Sequence, residues 1–237
     1  MMKWAMIAVV CALGACSSVD GIEDDPYERT NRAIHSFNKG ADTAVLRPVS
    51  NAYGAAVPGE VRTSLSNASG NLSLPGSFVN HLLQGDIQDA GATLMRFGFN
   101  STFGLAGLRD PASDAGLLAR DTTFGDTLAV WGVRRGAYIE LPLLGPSDER
   151  DLAGKVVDFA INPLNALEEP IPGEITGTLT ATSVLNARYE FRGLIDTLLY
   201  ESADSYNAQR IAYLQNQAAN LSGGVVAEDL EDPYAFE

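Results

Sequence analysis

N-S-T-F-G-L-A-G-L-R-D-P (residues 100–111), then F-G-D-T-L-A-V-W-G-V-R-R-G-A-Y-I-E-L-P-L-L-G-P-S (124–147) and D-E-R-D (148–151), is the part of the chain around which the rest is organised. It is apolar and aromatic, yet glycine interrupts it at 104, 107, 125, 132, 136 and 145. Neither one long helix nor one long strand tolerates that spacing. The stretch therefore either packs as a tightly turned core or lines a cavity. It holds no acid–base pair, metal cluster or nucleotide loop, which points to binding or conduction before bond chemistry.

Outward from it, the spacing of apolar residues is mostly helical. Asp25-Pro26-Tyr27-Glu28 reads as a helix start with Asp25 as N-cap, and Ile34, Phe37, Ala41 and Val45 follow until Arg47-Pro48 stops it. Short helices fit 48–57, 59–72, 75–84 and 86–102, with Pro75 opening the third of these. In the last, Gly91, Met95, Gly98 and Thr102 form a small-residue stripe able to admit a neighbouring helix closely. Residues 114–119 and 123–131 suit brief helices, 138–141 an extended piece, and Ser147 caps a helix that Asn162-Pro163 ends. After a turn at 168–173, helices fit the run from Ile175 and residues 202–221. Residues 222–237 turn acidic and read as a disordered tail. The expectation is an all-α single domain over 25–221 with Gly-rich turns.

The N-terminus carries an address. Met1-Met2-Lys3, an apolar run from Trp4 to Leu13, and Leu13-Gly14-Ala15-Cys16 resemble a lipoprotein signal peptide, 1–15, ending in a lipobox. That resemblance implies acylation of Cys16, with 16–24 as a tether. Processing removes Lys3 and no acid, so the net charge of −14 becomes −15. Such acidity excludes a nucleic-acid partner and a polybasic grip on anionic lipid. Cys11 leaves with the signal peptide and Cys16 is consumed by lipid, so no disulfide or cysteine-held metal is expected. No stretch of the mature chain reaches the roughly 18 apolar residues of a spanning helix. Any entry into a bilayer is by amphipathic helices in one leaflet.

Catalytic signatures are lacking. His35 and His81 each stand without an i, i+4 ligand partner and read as packing or surface residues; no metal site or cofactor is expected. No G-x-S-x-G, Walker or dinucleotide motif occurs. Trp131, Arg134, Arg135 and Tyr138 form an aromatic–basic cluster, equally readable as a headgroup-level interface or as a solvated turn flanked by core aromatics.

Several strings together resemble one family, the MlaA (VacJ) lipoproteins of the Gram-negative outer membrane. They are D-P-Y-E-R-T-N-R with F-N (25–38), R-P-V (47–49), L-S-N-A-S-G-N-L (65–72), V-N-H-L-L-Q-G-D (79–86), R-F-G-F-N-S-T-F-G-L-A-G (96–107), F-G-D-T-L (124–128), W-G-V (131–133) and L-P-L-L-G-P-S-D-E-R-D (141–151). Beyond Pro163 the pattern loosens. The resemblance implies a ring of amphipathic helices in the inner leaflet of the outer membrane, facing the periplasm and surrounding an amphipathic channel. It implies binding to trimeric porins, and transfer of phospholipid misplaced in the outer leaflet to a soluble periplasmic carrier, without catalysis. Beside it, the mixture of Asn100 and Thr102 with Leu105, Leu108 and Leu128 reads as a channel wall, and Gly104 and Gly107 as a hinge or channel-adjacent turn. A porin-tethering scaffold and a lipid hydrolase are the alternatives.

Overall fold

A computed structural model describes residues 25–163 and 172–221. The signal peptide, Cys16, the tether, most of the 168–173 turn and the acidic tail lie outside them. The described chain is helical apart from one hairpin, and among its helices none is long and apolar enough to cross a membrane.

Helix α1 (Glu28–Ala41) runs through a wider π-helical turn (Asp42–Leu46) into α2 (Arg47–Ala56). Pro48 therefore does not stop the rod. In the wide turn the Arg47 N–H reaches back to the Asp42 carbonyl, and proline sits in the first turn of the next segment, where its missing N–H costs least. Helix α3 (Gly59–Gln84) is likewise continuous, with Pro75 inside it rather than at its start. Gly85, at φ 79°, ends α3, and Asp86 caps α4 (Ile87–Thr102) by accepting from the Asp89 N–H.

Asp110 caps a single turn, α5 (Pro111–Asp114), in place of the expected 114–119 helix. A Thr123–Asp126 capping box starts α6 (Phe124–Val130). Strands β1 (Tyr138–Leu141) and β2 (Gly145–Asp148) pair antiparallel, Tyr138 opposite Asp148 and Leu141 opposite Gly145. Asp148, not Ser147, caps α7 (Glu149–Ile161); Ser147 belongs to β2. Then come α8 (Gly173–Glu190), α9 (Arg192–Asp196), a second π-helical turn (Thr197–Glu201) and α10 (Ser205–Leu221).

Contacts between elements close on themselves. The α1–α2 rod lies on β1 at one end and on α8 at the other; α8 packs on α3, α3 on α6, α6 on α7, and α7 on β2, the partner of β1. That circuit is the ring the resemblance implied. Backbone meets backbone between α6 and α7, where a Cβ on Gly154 would lie 2.3 Å from the Gly125 nitrogen. The stripe on α4 is not used in this way: a Cβ on Gly91 or Gly98 would meet nothing within 4 Å.

The partition of residues is inverted. Among the described residues, buried polar or charged side chains outnumber buried apolar ones, and several of the latter are alanines. Phe37, Val45, Ile87, Leu94, Phe103 and Leu144 are exposed. On α1 the inward stripe is Asn31, His35 and Asn38, not Ile34 and Phe37. Asn31 donates to the Tyr138 carbonyl (3.0 Å) and accepts from the Glu140 N–H (2.9 Å); Asn38 donates to the Leu141 carbonyl (2.9 Å). Asp25, expected as an N-cap, instead takes hydrogen bonds from Asn31 and Tyr206. A second buried network joins the rod to α8: Arg188 holds Asp42 through Nε (2.8 Å) and Nη2 (2.9 Å), and also reaches Asp196 (2.7 Å).

Three stability outcomes follow from this packing. Gly154→Ala should destabilise the protein by about 1–3 kcal/mol by forcing α6 and α7 apart. Gly91→Ala should stabilise it by about 0.5–1 kcal/mol, since the helix gains and nothing is displaced. Burial alone would raise the Asp42 carboxyl, but the Arg188 and Tyr200 hydrogen bonds outweigh it and hold it below the usual range. Asp42→Asn, which leaves Arg188 short of charge, should cost about 3–5 kcal/mol. In the native chain the same contribution is complete above the unfolded carboxylate value of ~4 and is lost as pH falls through the lower folded value. Urea unfolding in detergent, across pH, reads all three.

Candidate functional site

The loop joining β1 to β2 is held open by side chains of α1. Leu143 sits at φ 64°, a conformation that strains a branched residue, and its N–H donates to Asn38 Oδ1 at 2.7 Å. Leu143 and Leu144 thereby stand exposed over a cavity of about 790 Å³. Val45 and Leu46 of the first π-helical turn, Val184 of α8 and Leu198 and Leu199 of the second π-helical turn add to its apolar wall. A π-helical turn widens the helix and re-aims the side chains it carries. Here it sends Asp42 to Arg188 and leaves Val45 on the cavity wall.

At one side the cavity turns polar, with Asn38, Lys39, Asp42, Arg188, Gln209 and Asn216. Arg188 is buried and strongly held in its charged form, first by its hydrogen bond to Asp42, against the cost of burial. Its Nη1 finds no hydrogen-bond partner among the described residues. Burial raises the Tyr200 hydroxyl, and its bond to Asp42 (2.6 Å) raises it further, so it remains a donor. The arrangement suits a ligand with a long apolar part and a compact anionic or polar end.

The residues singled out in the sequence lie elsewhere. Neither Asn100–Leu108 nor Leu128 lines this cavity or the one below α3 and α4. Asn100 is buried: its amide donates to Asp110 (2.8 Å) and accepts from the Ala112 N–H (3.1 Å), while Arg96 holds the same Asp110. Thr102 bonds its own helix at the Gly98 carbonyl (2.6 Å), and Leu128 is half-buried in α6. Leu105 (φ 55°), Ala106 (φ 57°) and Gly107 (φ 89°) make a left-handed turn that leaves Phe103, Leu105 and Leu108 exposed. Contacts, not freedom to hinge, require its glycines. A Cβ on Gly104 would lie 2.4 Å from the Asn100 and Arg109 carbonyl oxygens, and one on Gly107 2.5 Å from the Asn71 Cβ.

The aromatic–basic cluster divides. Trp131 is exposed while its Nε1 donates to the Leu83 carbonyl (3.0 Å), and Arg134 is exposed. Arg135 is half-buried. Tyr138 is not at the surface: it is buried against Tyr206 and Tyr213 and donates to Glu140 (2.5 Å), so strand pairing has turned it inward.

The structure assembles one constellation that no motif announced. His35 Nε2 lies 3.0 Å from Ser205 Oγ, and His35 Nδ1 lies 3.7 Å from Glu140 Oε1, the residue types of an acyl hydrolase. Ser205 and His35 line neither cavity, and Lys39 also reaches the serine (3.4 Å). Asp204 takes the Asn207 N–H beside it, a donor that a tetrahedral oxyanion would need. The trio ties α1 to α10 and β1.

Comparison with known proteins agrees with this architecture. A solved chain from a structural study of how bacterial outer-membrane lipid asymmetry is maintained superposes with a TM-score of 0.74 at 30% identity, covering 84% of this chain and all of that one. The intermembrane phospholipid transport system lipoprotein MlaA of Escherichia coli strain K12 is 35% identical over 89% of this chain and 83% of its own length. An uncharacterised protein of Rickettsia bellii is 32% identical over 86% of this chain and 80% of its own. The family model described as MlaA lipoprotein matches residues 23–220, and the chain belongs to that family.

Proposed function

We propose that this protein lets phospholipid misplaced in the outer leaflet of the outer membrane pass, chemically unchanged, toward the periplasm. One observation carries the reading: a ring with an apolar exterior and a hydrogen-bonded polar interior bears a partly open cavity, between α1, the hairpin loop, α8 and α10, whose lining is mostly apolar with a few charged and polar groups. An exterior bearing Phe37, Ile87, Leu94 and Phe103 suits acyl chains as solvent, and helices too short or too polar to span suit residence in one leaflet. Exposed Trp131 and Arg134 suit headgroup depth, and Phe103, Leu105 and Leu108 suit contact with acyl chains or with a porin. Acylation of Cys16 supplies the anchor that the acidic chain does not find in charge.

The physical problem is desolvation. Roughly 30 methylenes, at about 0.8 kcal/mol each, make a free lipid cost more than ~20 kcal/mol to expose to water. A passage lowers that cost only if it offers apolar wall to the chains while a polar group receives the head. Leu143, Leu144, Val45, Leu198 and Leu199 offer the first. Arg188 offers the second, a cavity-lining charge balanced by Asp42 and Asp196 whose buried Nη1 has no hydrogen-bond partner among the described residues. Nothing in such transfer requires a nucleophile or a metal. Likeness to the E. coli intermembrane phospholipid transport lipoprotein supports transport of phospholipid; a trimeric porin as neighbour and a soluble periplasmic carrier as recipient complete the proposal.

Photo-crosslinking tests the route. A photoreactive residue at Leu144 or Leu198 should capture intact phospholipid in cells, whereas one at Asp229 should not. Equal capture at all three sites argues for casual membrane contact, and recovery of lyso-lipid and free fatty acid argues for hydrolysis by the His35–Ser205 pair. Leu144→Arg should leave porin co-purification intact while surface phospholipid rises; retention of both properties favours a porin-tethering scaffold. Cys16→Ala should yield an unprocessed precursor without acyl mass that no longer fractionates with the outer membrane. An unmodified Cys16 on cleaved, functional protein would reject the anchor.

A further inference from the structure

His81 lies in the last turn of α3, buried to all but 4% of its surface. Its Nε2 is 2.9 Å from the Arg120 carbonyl oxygen. A carbonyl only accepts, so Nε2 carries the proton and, in the neutral ring, Nδ1 keeps a bare lone pair. That Nδ1 is buried and has no hydrogen-bond partner among the described residues. A buried acceptor left unmet costs about 1–3 kcal/mol.

Two carboxylates lie close to the ring. Gly85 reverses the chain, Asp86 caps α4, and Asp89 sits one turn further on. The ligand atoms of His81, Asp86 and Asp89 all lie within 4.8 Å of one another. Asp86 spends one oxygen on the Asp89 N–H (2.9 Å). Asp89 Oδ2 is 3.3 Å from Arg120 Nη1, whose side chain is 61% exposed and free to yield that contact to an ion. All three residues line a cavity of about 580 Å³, to which Asp121 and Asp126 add negative charge.

We propose that His81 Nδ1, Asp86 and Asp89 bind one divalent transition-metal ion of the zinc type. An imidazole with two carboxylates suits such an ion, whereas calcium takes six to eight oxygens. The Arg120 carbonyl supplies the outer contact that fixes the tautomer of a metal-binding histidine. The remaining coordination positions open into the cavity and take water. Bound there, the ion joins the end of α3 to the start of α4, and through His81 holds the segment at Arg120 that leads into α6. Spacing at i, i+5 and i+8 across a helix break matches no sequence motif; only the turn at Gly85 brings the three together.

The test uses the full chain in detergent, freed of any histidine tag, in equilibrium dialysis against zinc chloride with magnesium chloride as the comparison. The native protein should retain one zinc per chain. His81→Gln keeps an amide donor for the Arg120 carbonyl, and Asp86→Asn keeps the helix cap; these and Asp89→Asn should each weaken zinc binding at least ~10-fold. His35→Gln should not. Zinc should raise the melting temperature of the native protein but not of Asp89→Asn. X-ray absorption on the native protein alone, independent of how any variant folds, should find one imidazole nitrogen and at least two oxygens about the zinc. Zinc retained equally by His81→Gln and Asp89→Asn, a coordination shell without imidazole, or no zinc on the native chain overturns the site.

Discussion

A polar group buried in this molecule is costly unless another meets it, and the architecture follows from how most of them are paired. With apolar residues turned outward, little oil-like core remains to hold the helices together. Buried hydrogen bonds and ion pairs do that work, in surroundings where leaving one unmade is costly. Asn31 and Asn38 suspend β1 from α1, His35 joins α1 to Ser205 of α10, and Asp42 and Arg188 fasten the rod to α8. Arg96, Asn100 and Asp110 pin the turn after α4, and Asp158 receives both Asn80 and the first N–H of α6. Such networks are directional, so they fix one arrangement where apolar packing alone would allow several.

The same constraint explains where the backbone departs from regular helix. A polar side chain must reach a particular partner, and two π-helical turns flank the Asp42–Arg188–Asp196 cluster. Strained left-handed residues occur at Leu105, Ala106 and Leu143, each in a turn whose apolar side chains project outward while the backbone is bonded inward. The cavity is a by-product of those departures: its wall comes from both π-helical turns and the hairpin loop. Local irregularity and the candidate passage thus have one origin.

Helix content, the short extended piece at 138–141, the caps at Asp86 and Thr123, and the family were legible in the sequence, because periodicity, capping residues and ordered motifs are local. The ends at Pro48 and Pro75 were not. Proline stops a helix only when its neighbours cannot absorb the missing N–H, and here a wide turn and a long packed helix absorb it. Which face of α1 turns inward was not legible either, for a different reason. Periodicity finds the two faces of a helix, but the solvent decides which one turns in.

By itself, then, the sequence determined a helical chain with a lipobox-like N-terminus, glycine-cut apolar segments and the motifs of one lipoprotein family. Tertiary structure decided which residues meet. It made Asn100 and Tyr138 parts of the buried framework rather than a wall or an interface, and left Leu105 outside both cavities. It also built the cavity from the residues at 45–46, 143–144, 184 and 198–199, which no spacing rule relates. These positions lie far apart along the chain, and only closure of the ring, driven by polar groups seeking partners in a dry interior, brings them to one place.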